Sequence, residues 1–462
     1  MYLFVSFVRC KQINLIKQIK YMFIYQTTKI LFVLSLFIGS INMAISQGND
    51  VKFYEESLDN GLTVIYHIDN SAPVISTVLH YKVGSKDEDM NYTGYAHFFE
   101  HLMFEATTDI ERAMIPKYVN EAGGNLNAHT SFDETVYQFK LPKNEIKLPL
   151  WIESQRMRGL QIEEVGVKTQ KGVVLEEKKN RYDNSPYGTM LEKMVSNLFK
   201  GGVYSWTTIG SAEHISKATI DNFKVFYDSY YRPNNAVLVI AGDFDIAEVK
   251  PYVEQYFGSI PKKEIVRENH PLSELKKEYR EKVIDEKIPH DAVFVGFRGP
   301  KLGSEDYYAV NLLSNILAMG ESSRLYQKLV DKEQVAVQSS LIPLSLEKSG
   351  AILLVGVAKP GNELEDIEEM MYDEIEEIAE NGVSDEELEK TKNIVEAGNI
   401  QSKRNILQKA MNLAKYKAYY NDASLINKEI DNYLKVTKND IQAVAKKYLM
   451  TNKRVVLNYV KK

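Results

Sequence analysis

Cysteine is nearly absent from this 462-residue sequence: Cys10 is the only one. A disulfide framework, a thiolate metal cage and a thiol nucleophile are thereby excluded for everything beyond the first residues. Acidic residues are missing from residues 1–46, which carry Arg9, Lys11, Lys17, Lys20 and Lys29. The remainder holds 52 basic against 63 acidic residues, a net charge of −11 compared with −6 for the whole. An acidic body lacking clustered Lys and Arg argues against nucleic acid as a partner, since phosphate binding depends on such clusters. A long apolar run is also missing. Ile30–Ile38 is interrupted by Ser35 and followed by Gly39, Ser40 and Asn42, whereas a membrane span takes about 20 apolar residues. With 44% hydrophobic and 26% charged residues, neither a disordered nor a fibrous class is indicated.

Residues 1–46 read as an export signal. Lys29 precedes the apolar run, and Ala44-Ile45-Ser46 has the small-x-small form of a cleavage site, which puts the mature start near Gln47. Met22 is a possible true start, because Met22–Ser46 alone makes a signal peptide of ordinary length. The alternative is a retained anchor; the interruptions favour cleavage and a periplasmic destination. Cys10 does not follow the apolar run, which disfavours a lipid anchor.

The mature chain reads as two related halves. KATIDNFKVFYDSYYRPNNAVLVI around Thr219 aligns without a gap on KVTKNDIQAVAKKYLMTNKRVVLN around Thr437. Thr219 meets Thr437, Phe223 meets Ile441, Phe226 meets Val444, Tyr230 meets Tyr448 and Asn234 meets Asn452. Each copy is an amphipathic helix with a threonine placed to cap it, then a turn and a strand. A weaker match joins VNEAGGNLNAHTS (119–131) to LVDKEQVAVQSS (329–340). The expected domains are 47–265 and 275–462, divided in the charged stretch Lys262–Lys282. Leu62–Ile68 and Val74–Lys82 read as strands joined by a turn at residues 70–73. Glu363–Asn381 and Ser384–Gln401 read as helices, the second opened by a capping box. Strands and helices are grouped rather than alternating, which predicts an α+β class: two homologous halves, each a mostly antiparallel sheet with helices packed on it.

Residues 97–101 read His-Phe-Phe-Glu-His, and none of the other histidines, eight in all, forms a pair four apart. On a helix, positions i, i+3 and i+4 share a face, so His97, Glu100 and His101 project together. Two imidazoles one turn apart reach one Zn²⁺ at about 2.0–2.1 Å, and a catalytic zinc needs a third protein ligand and an open position. Metal coordination lowers the pKa of water to about 7, and the carboxylate between the histidines is placed to take its proton. H-x-x-E-H is the inverzincin signature.

GYAHFFEHLMFEAT (94–107) resembles the insulinase/pitrilysin family of zinc metallopeptidases, which includes the mitochondrial processing peptidases and bacterial two-chain relatives. Supporting segments are LDNGLTVIYHIDNSAPV (58–74), GGNLNAHTSFDETVY (123–137), VVLEEKKNRYD (173–183) and YYRPNNAVLVIAGDF (230–244). The resemblance implies metal ligation by His97, His101 and Glu177, with Glu100 as the water-activating base. Glu176 is the immediate rival of Glu177, and the alignment of Val173-Val174-Leu175 favours Glu177. It also implies that Asn127 and Ala128 lie on an edge strand that pairs with the substrate backbone, as suits an enzyme cutting extended or unfolded peptides.

Two positions depart from the family pattern. Gln170 stands where relatives often carry a glutamate, which removes a charge expected near the metal. Val330 and Val337 stand where many relatives carry the arginine and tyrosine that hold substrate and oxyanion, and valine donates no hydrogen bond. The resemblance therefore implies a zinc endopeptidase subunit paired with a paralogous subunit that supplies the Arg and Tyr donors. The alternatives are a non-catalytic assembly subunit of the same fold and a self-sufficient homodimeric peptidase.

Overall fold

A computed structural model of the chain describes residues 50–462. The expected signal segment 1–46, with Cys10 and Met22, lies outside the described residues. No helix among the described residues is long and apolar enough to cross a membrane.

Two sheets organise the molecule. The first contains β1 (Tyr54–Ser57), β2 (Thr63–Ile68), β3 (Val74–Tyr81), β4 (Asn125–Thr130), β5 (Thr135–Pro142) and β6 (Ala236–Gly242), in the spatial order β1-β2-β6-β3-β5-β4. The second contains β7 (Tyr279–Ile284), β8 (Ala292–Gly299), β9 (Ala336–Leu344), β10 (Gly350–Ala358) and β11 (Arg454–Val460), in the order β7-β11-β8-β10-β9. Within each sheet one pair is parallel, β2 with β6 and β7 with β11, and the rest are antiparallel. Leaving out β1, the two orders superpose strand for strand, so the α+β class and the duplication hold at the level of topology. Residues 261–278, between the last strand of one sheet and the first of the other, contain neither helix nor strand.

The turn expected at residues 70–73 joins β2 to β3, yet these strands do not pair, because β6 lies between them. The reason is burial. Every residue of the run Ala-Val-Leu-Val-Ile-Ala-Gly in β6 is buried, alternate side chains entering separate apolar clusters on the two faces. A strand covered on both faces belongs at the middle of its sheet.

The helices that matter for function are α1 (Tyr95–Leu102), α2 (Glu164–Lys178), α3 (Met190–Leu198), α4 (Ile220–Tyr230), α5 (Leu364–Asn381), α6 (Asp385–Ser402), α7 (Ile406–Tyr420) and α8 (Lys438–Val444). Thr219 and Thr437 cap α4 and α8, each within a reciprocal capping box closed by Asn222 and Asp440. Ser384 and Glu387 close the same motif at the start of α6.

The halves exchange helices. Ala410, Leu413 and Ala414 of α7, late in the chain, pack on Val237, Val239 and Ala241 of the first sheet. Met194, Val195 and Leu198 of α3, early in the chain, pack on Leu353, Val455 and Leu457 of the second. A side chain on Gly296 would place its Cβ 2.2 Å from Met194 Sδ, so Met194 of α3 sits directly on the glycine and would have to shift for any larger residue. The 218-residue offset relating Thr219 to Thr437 carries α3 onto residues 408–416, inside α7. Equivalent helices have traded sheets.

The exchange makes a prediction. Leu413→Ala should lower stability by about 2–5 kcal/mol, the usual cost of such a cavity. Trp151 and Trp206, the two tryptophans, both precede residue 207. Their fluorescence should nevertheless report a lowered guanidinium midpoint in this variant. An unchanged tryptophan transition would mean that the exchanged helix does not support the first sheet.

Candidate metal centre

α1 is amphipathic in a way its sequence dictates. Phe98, Phe99 and Leu102 are buried on one side, and Phe98 stacks on Phe223 of α4 with ring centroids 4.3 Å apart. Phe99 stacks on Phe226 at 5.6 Å, and its carbonyl accepts the Tyr137 hydroxyl of β5 at 3.3 Å. With that face committed to the core, His97, Glu100 and His101 turn to the other. The imidazoles stand edge to face, 4.9 Å between centroids.

Glu177 arrives from the last turn of α2. Val174 and Lys178, four residues apart, are buried and fix the helix against the core, and Glu177 follows on the side facing α1. Its Oε2 lies 3.6 Å from His97 Nε2 and 3.3 Å from His101 Nε2. Glu176 is exposed and accepts from the Asn180 side chain at 3.1 Å, away from the histidines. Among the described residues, His97, His101 and Glu177 form the one group whose ligand atoms all lie within 4.8 Å of one another.

This donor set fits a zinc ion. Four ligands at about 2.0–2.1 Å in a tetrahedron are about 3.4 Å apart, close to the two separations from Glu177. Both partners also stand in the ionisation state a metal requires. Burial, and then the neighbouring His101, push the His97 imidazole down to about 4, leaving it neutral at physiological pH. The hydrogen bond from His101 draws the Glu177 carboxyl below its ordinary range.

Two further side chains shape the site without having been singled out in the sequence. Thr130, the last residue of β4, donates from Oγ1 to Glu100 Oε2 at 2.7 Å. Arg181 Nη1 lies 2.8 Å from Glu177 Oε1, leaving Oε2 to face the histidines. Arg181 sits in a π-helical turn, Lys179–Asp183, that continues α2. Its i+4 spacing from Glu177 was a readable helical signal, whereas nothing local marks Thr130, thirty residues from Glu100.

β4 is the outermost strand of its sheet, bonded on one side to β5, with Asn127 opposite Gln138 and Ala128 opposite Tyr137. Leu126 and Ala128 pack toward the core, and Asn127 is exposed. Gln170 donates to Glu105 Oε1 at 2.6 Å, and Glu105 in turn pairs with Arg112. A glutamate at 170 would set two carboxylates against each other, so the amide is explained by its neighbour. Val330 packs against the core of the second half, and Val337 is exposed on β9.

Two family profiles match the chain: "Insulinase (Peptidase family M16)" over residues 63–211 and "Peptidase M16 inactive domain" over residues 217–395. Among curated relatives, the zinc protease PqqE of Helicobacter pylori is 29% identical over 347 residues, covering 74% of this chain and 78% of its own. A solved protease from the same organism superposes with a TM-score of 0.84 at 27% identity, covering 88% of this chain and 99% of that one. The periplasmic protease PqqL of Escherichia coli shares the fold at a TM-score of 0.73 and 19% identity; the match covers 89% of this chain but 48% of PqqL. The chain belongs to the insulinase (M16) peptidase family.

Proposed function

We propose that this chain is the zinc-bearing subunit of an exported, periplasmic endopeptidase in which His97, His101 and Glu177 hold the metal and Glu100 is the general base. The observation that carries the reading is the convergence of the three donor atoms beside a carboxylate anchored to an edge strand. When bound, zinc supplies Lewis acidity that polarises the scissile carbonyl and eases deprotonation of water. Glu100 accepts that proton and passes it to the leaving amine. Thr130 holds Glu100 Oε2 by its hydroxyl, so Oε1 is the oxygen left to work. Arg181 holds the outer oxygen of Glu177, and Glu177 Oε2 stays directed at the histidines.

β4 binds the peptide. An extended substrate adds to the free edge at Asn127 and Ala128 through main-chain hydrogen bonds, which favours unfolded segments over particular side chains. Because Thr130 ends the same strand, backbone pairing delivers the chain alongside Glu100. The domain bounds 47–265 and 275–462 and the cleaved leader 1–46 belong to the same proposal. So does a paralogous partner. Neither Val330 nor Val337 donates a hydrogen bond, and this chain matches about half the length of PqqL.

Ligand identity is tested at the two adjacent glutamates. Glu177→Gln should release zinc, measured by elemental analysis after dialysis, while Glu176→Gln should retain it. The reverse result would place the ligand one residue earlier. Glu100→Gln should keep zinc and fold but lose about 10²–10⁴ in turnover of an unstructured peptide. Near-normal turnover would remove Glu100 from the role of base.

Pairing is tested by assaying this chain, a paralogue with Arg and Tyr at the positions of Val330 and Val337, and their mixture. A missing oxyanion donor costs about 10²–10³ in rate, so the zinc-loaded chain alone should be slow and the mixture fast. High activity from the chain alone would favour a homodimeric peptidase, and a zinc-free inactive chain would favour an assembly subunit.

A further inference from the structure

The N-terminus of α1 lacks a side-chain cap. Its N-cap residue is Gly94, at φ 94°, which offers no oxygen to the first N–H groups of the helix. Unpaired donors at a buried helix end must find partners elsewhere. They find Glu88, which is 1% exposed. One carboxylate oxygen, Oε2, accepts the N–H of Gly94 at 2.8 Å, and the other, Oε1, accepts the N–H of Ala96 at 2.8 Å. The Trp206 indole donates to Oε2 at 2.9 Å. Glu88 is itself anchored: its carbonyl accepts His270 Nε2 at 2.6 Å. The loop carrying Trp206 also presses on the helix end, since a Cβ on Gly210 would lie 2.3 Å from the Gly94 nitrogen.

We infer that Glu88 is a positioning residue for the metal centre, holding the first turn of α1 by both carboxylate oxygens and thereby setting His97 and His101 against Glu177. This rests on the zinc reading above. The physical need is clear from the arrangement. Two ligands ride on one eight-residue helix and the third on another, so a small slide or tilt of α1 changes two separations together. Ala96, whose N–H is fixed, directly precedes His97. A metal site tolerates about 0.2 Å of error in its ligand distances. The aromatic stacking of Phe98 and Phe99 fixes the helix sideways, and Glu88 fixes it along its axis.

Both Glu88 oxygens serve as acceptors, because all three partners donate. Burial raises the carboxyl to about 8 even against the N–H groups of Ala96 and Gly94 and the indole of Trp206, which all pull it the other way. In Glu88→Gln the amide nitrogen must replace one oxygen. It then faces either the Ala96 N–H or the pair from Gly94 and Trp206, and a donor meets a donor whichever way the amide turns.

The test measures metal binding on the full mature chain, with Zn²⁺ against a chelating indicator and Co²⁺ by its visible spectrum. Glu88→Gln should bind zinc about 10–100-fold more weakly, the usual effect of disturbing a ligand's support, and its Co²⁺ bands should shift. Trp206→Phe keeps both backbone bonds and should show a smaller change in the same direction. Unchanged zinc affinity and Co²⁺ spectrum in Glu88→Gln would reduce Glu88 to an ordinary helix cap, however far the melting point falls. Should Glu88→Gln fail to fold, Glu88→Asp decides in its place: it retains both acceptor oxygens but draws them back by one methylene, so weakened zinc supports the inference and unchanged zinc overturns it. A wild-type chain that takes up no zinc would instead overturn the metal assignment itself.

Discussion

The stacking of α1 on α4 is the contact on which the centre depends. Phe98 lies on Phe223 with its ring plane 11° from parallel, and Phe99 packs between Phe226 and Tyr231. Aromatic pairs of this kind contribute about 0.5–1.5 kcal/mol beyond the area they bury. Their larger consequence is directional. Once positions 98, 99 and 102 face inward, 97, 100 and 101 have no choice of face. The placement of His97, Glu100 and His101 is thus a by-product of core packing.

A second set of contacts brings the sheet edge to the helix. The turn after β4 is held by Asp133, which accepts Tyr204 at 2.7 Å through one oxygen and the Glu347 N–H at 2.9 Å through the other. Lys86, 4% exposed, donates to the Asp133 carbonyl at 2.9 Å and lies 3.0 Å from Glu347 Oε2. Glu347 follows β9 in the second half. The turn that places Thr130 on Glu100 is therefore clamped from the other half of the molecule. Buried charges are costly unless paired, and here Lys86 and Asp133 meet each other and also reach Glu347 of the second half.

What was legible in the sequence was local. The spacing of His97, Glu100 and His101 needs a helix and nothing else, and the caps at Thr219, Ser384 and Thr437 are each closed within three residues. The assignment of Glu177 over Glu176 drew on family resemblance, and the structure sets Glu177 beside the imidazoles. The unread features are contacts across long stretches of chain. β6 enters between β2 and β3 from some 160 residues away, and α3 and α7 cross to the opposite sheets. Hydrophobic pattern marks a face as buried, but it does not say against what. Gln170 shows the same limit: its meaning lies in Glu105, which no spacing rule connects to it.

The duplication supplies an internal comparison for the site. β3 and β8 stand at the same 218-residue offset, and the helix following each packs beneath its sheet. At that offset His97, Glu100 and His101 fall on Asn315, Ala318 and Met319, at the end of a helix whose residues Leu312, Leu313, Ile316 and Leu317 are all buried. The second half thus builds the same strand order without the two imidazoles or the carboxylate. Nothing in the fold demands them, and their burial works against stability: His97 Nδ1 is buried and has no hydrogen-bond partner among the described residues. Shared topology says nothing about chemistry, since one fold serves many functions. The chemical reading comes from the side chains that break the repeat, because a half that could have packed apolar residues at these positions instead holds two imidazoles and a carboxylate on one helix face.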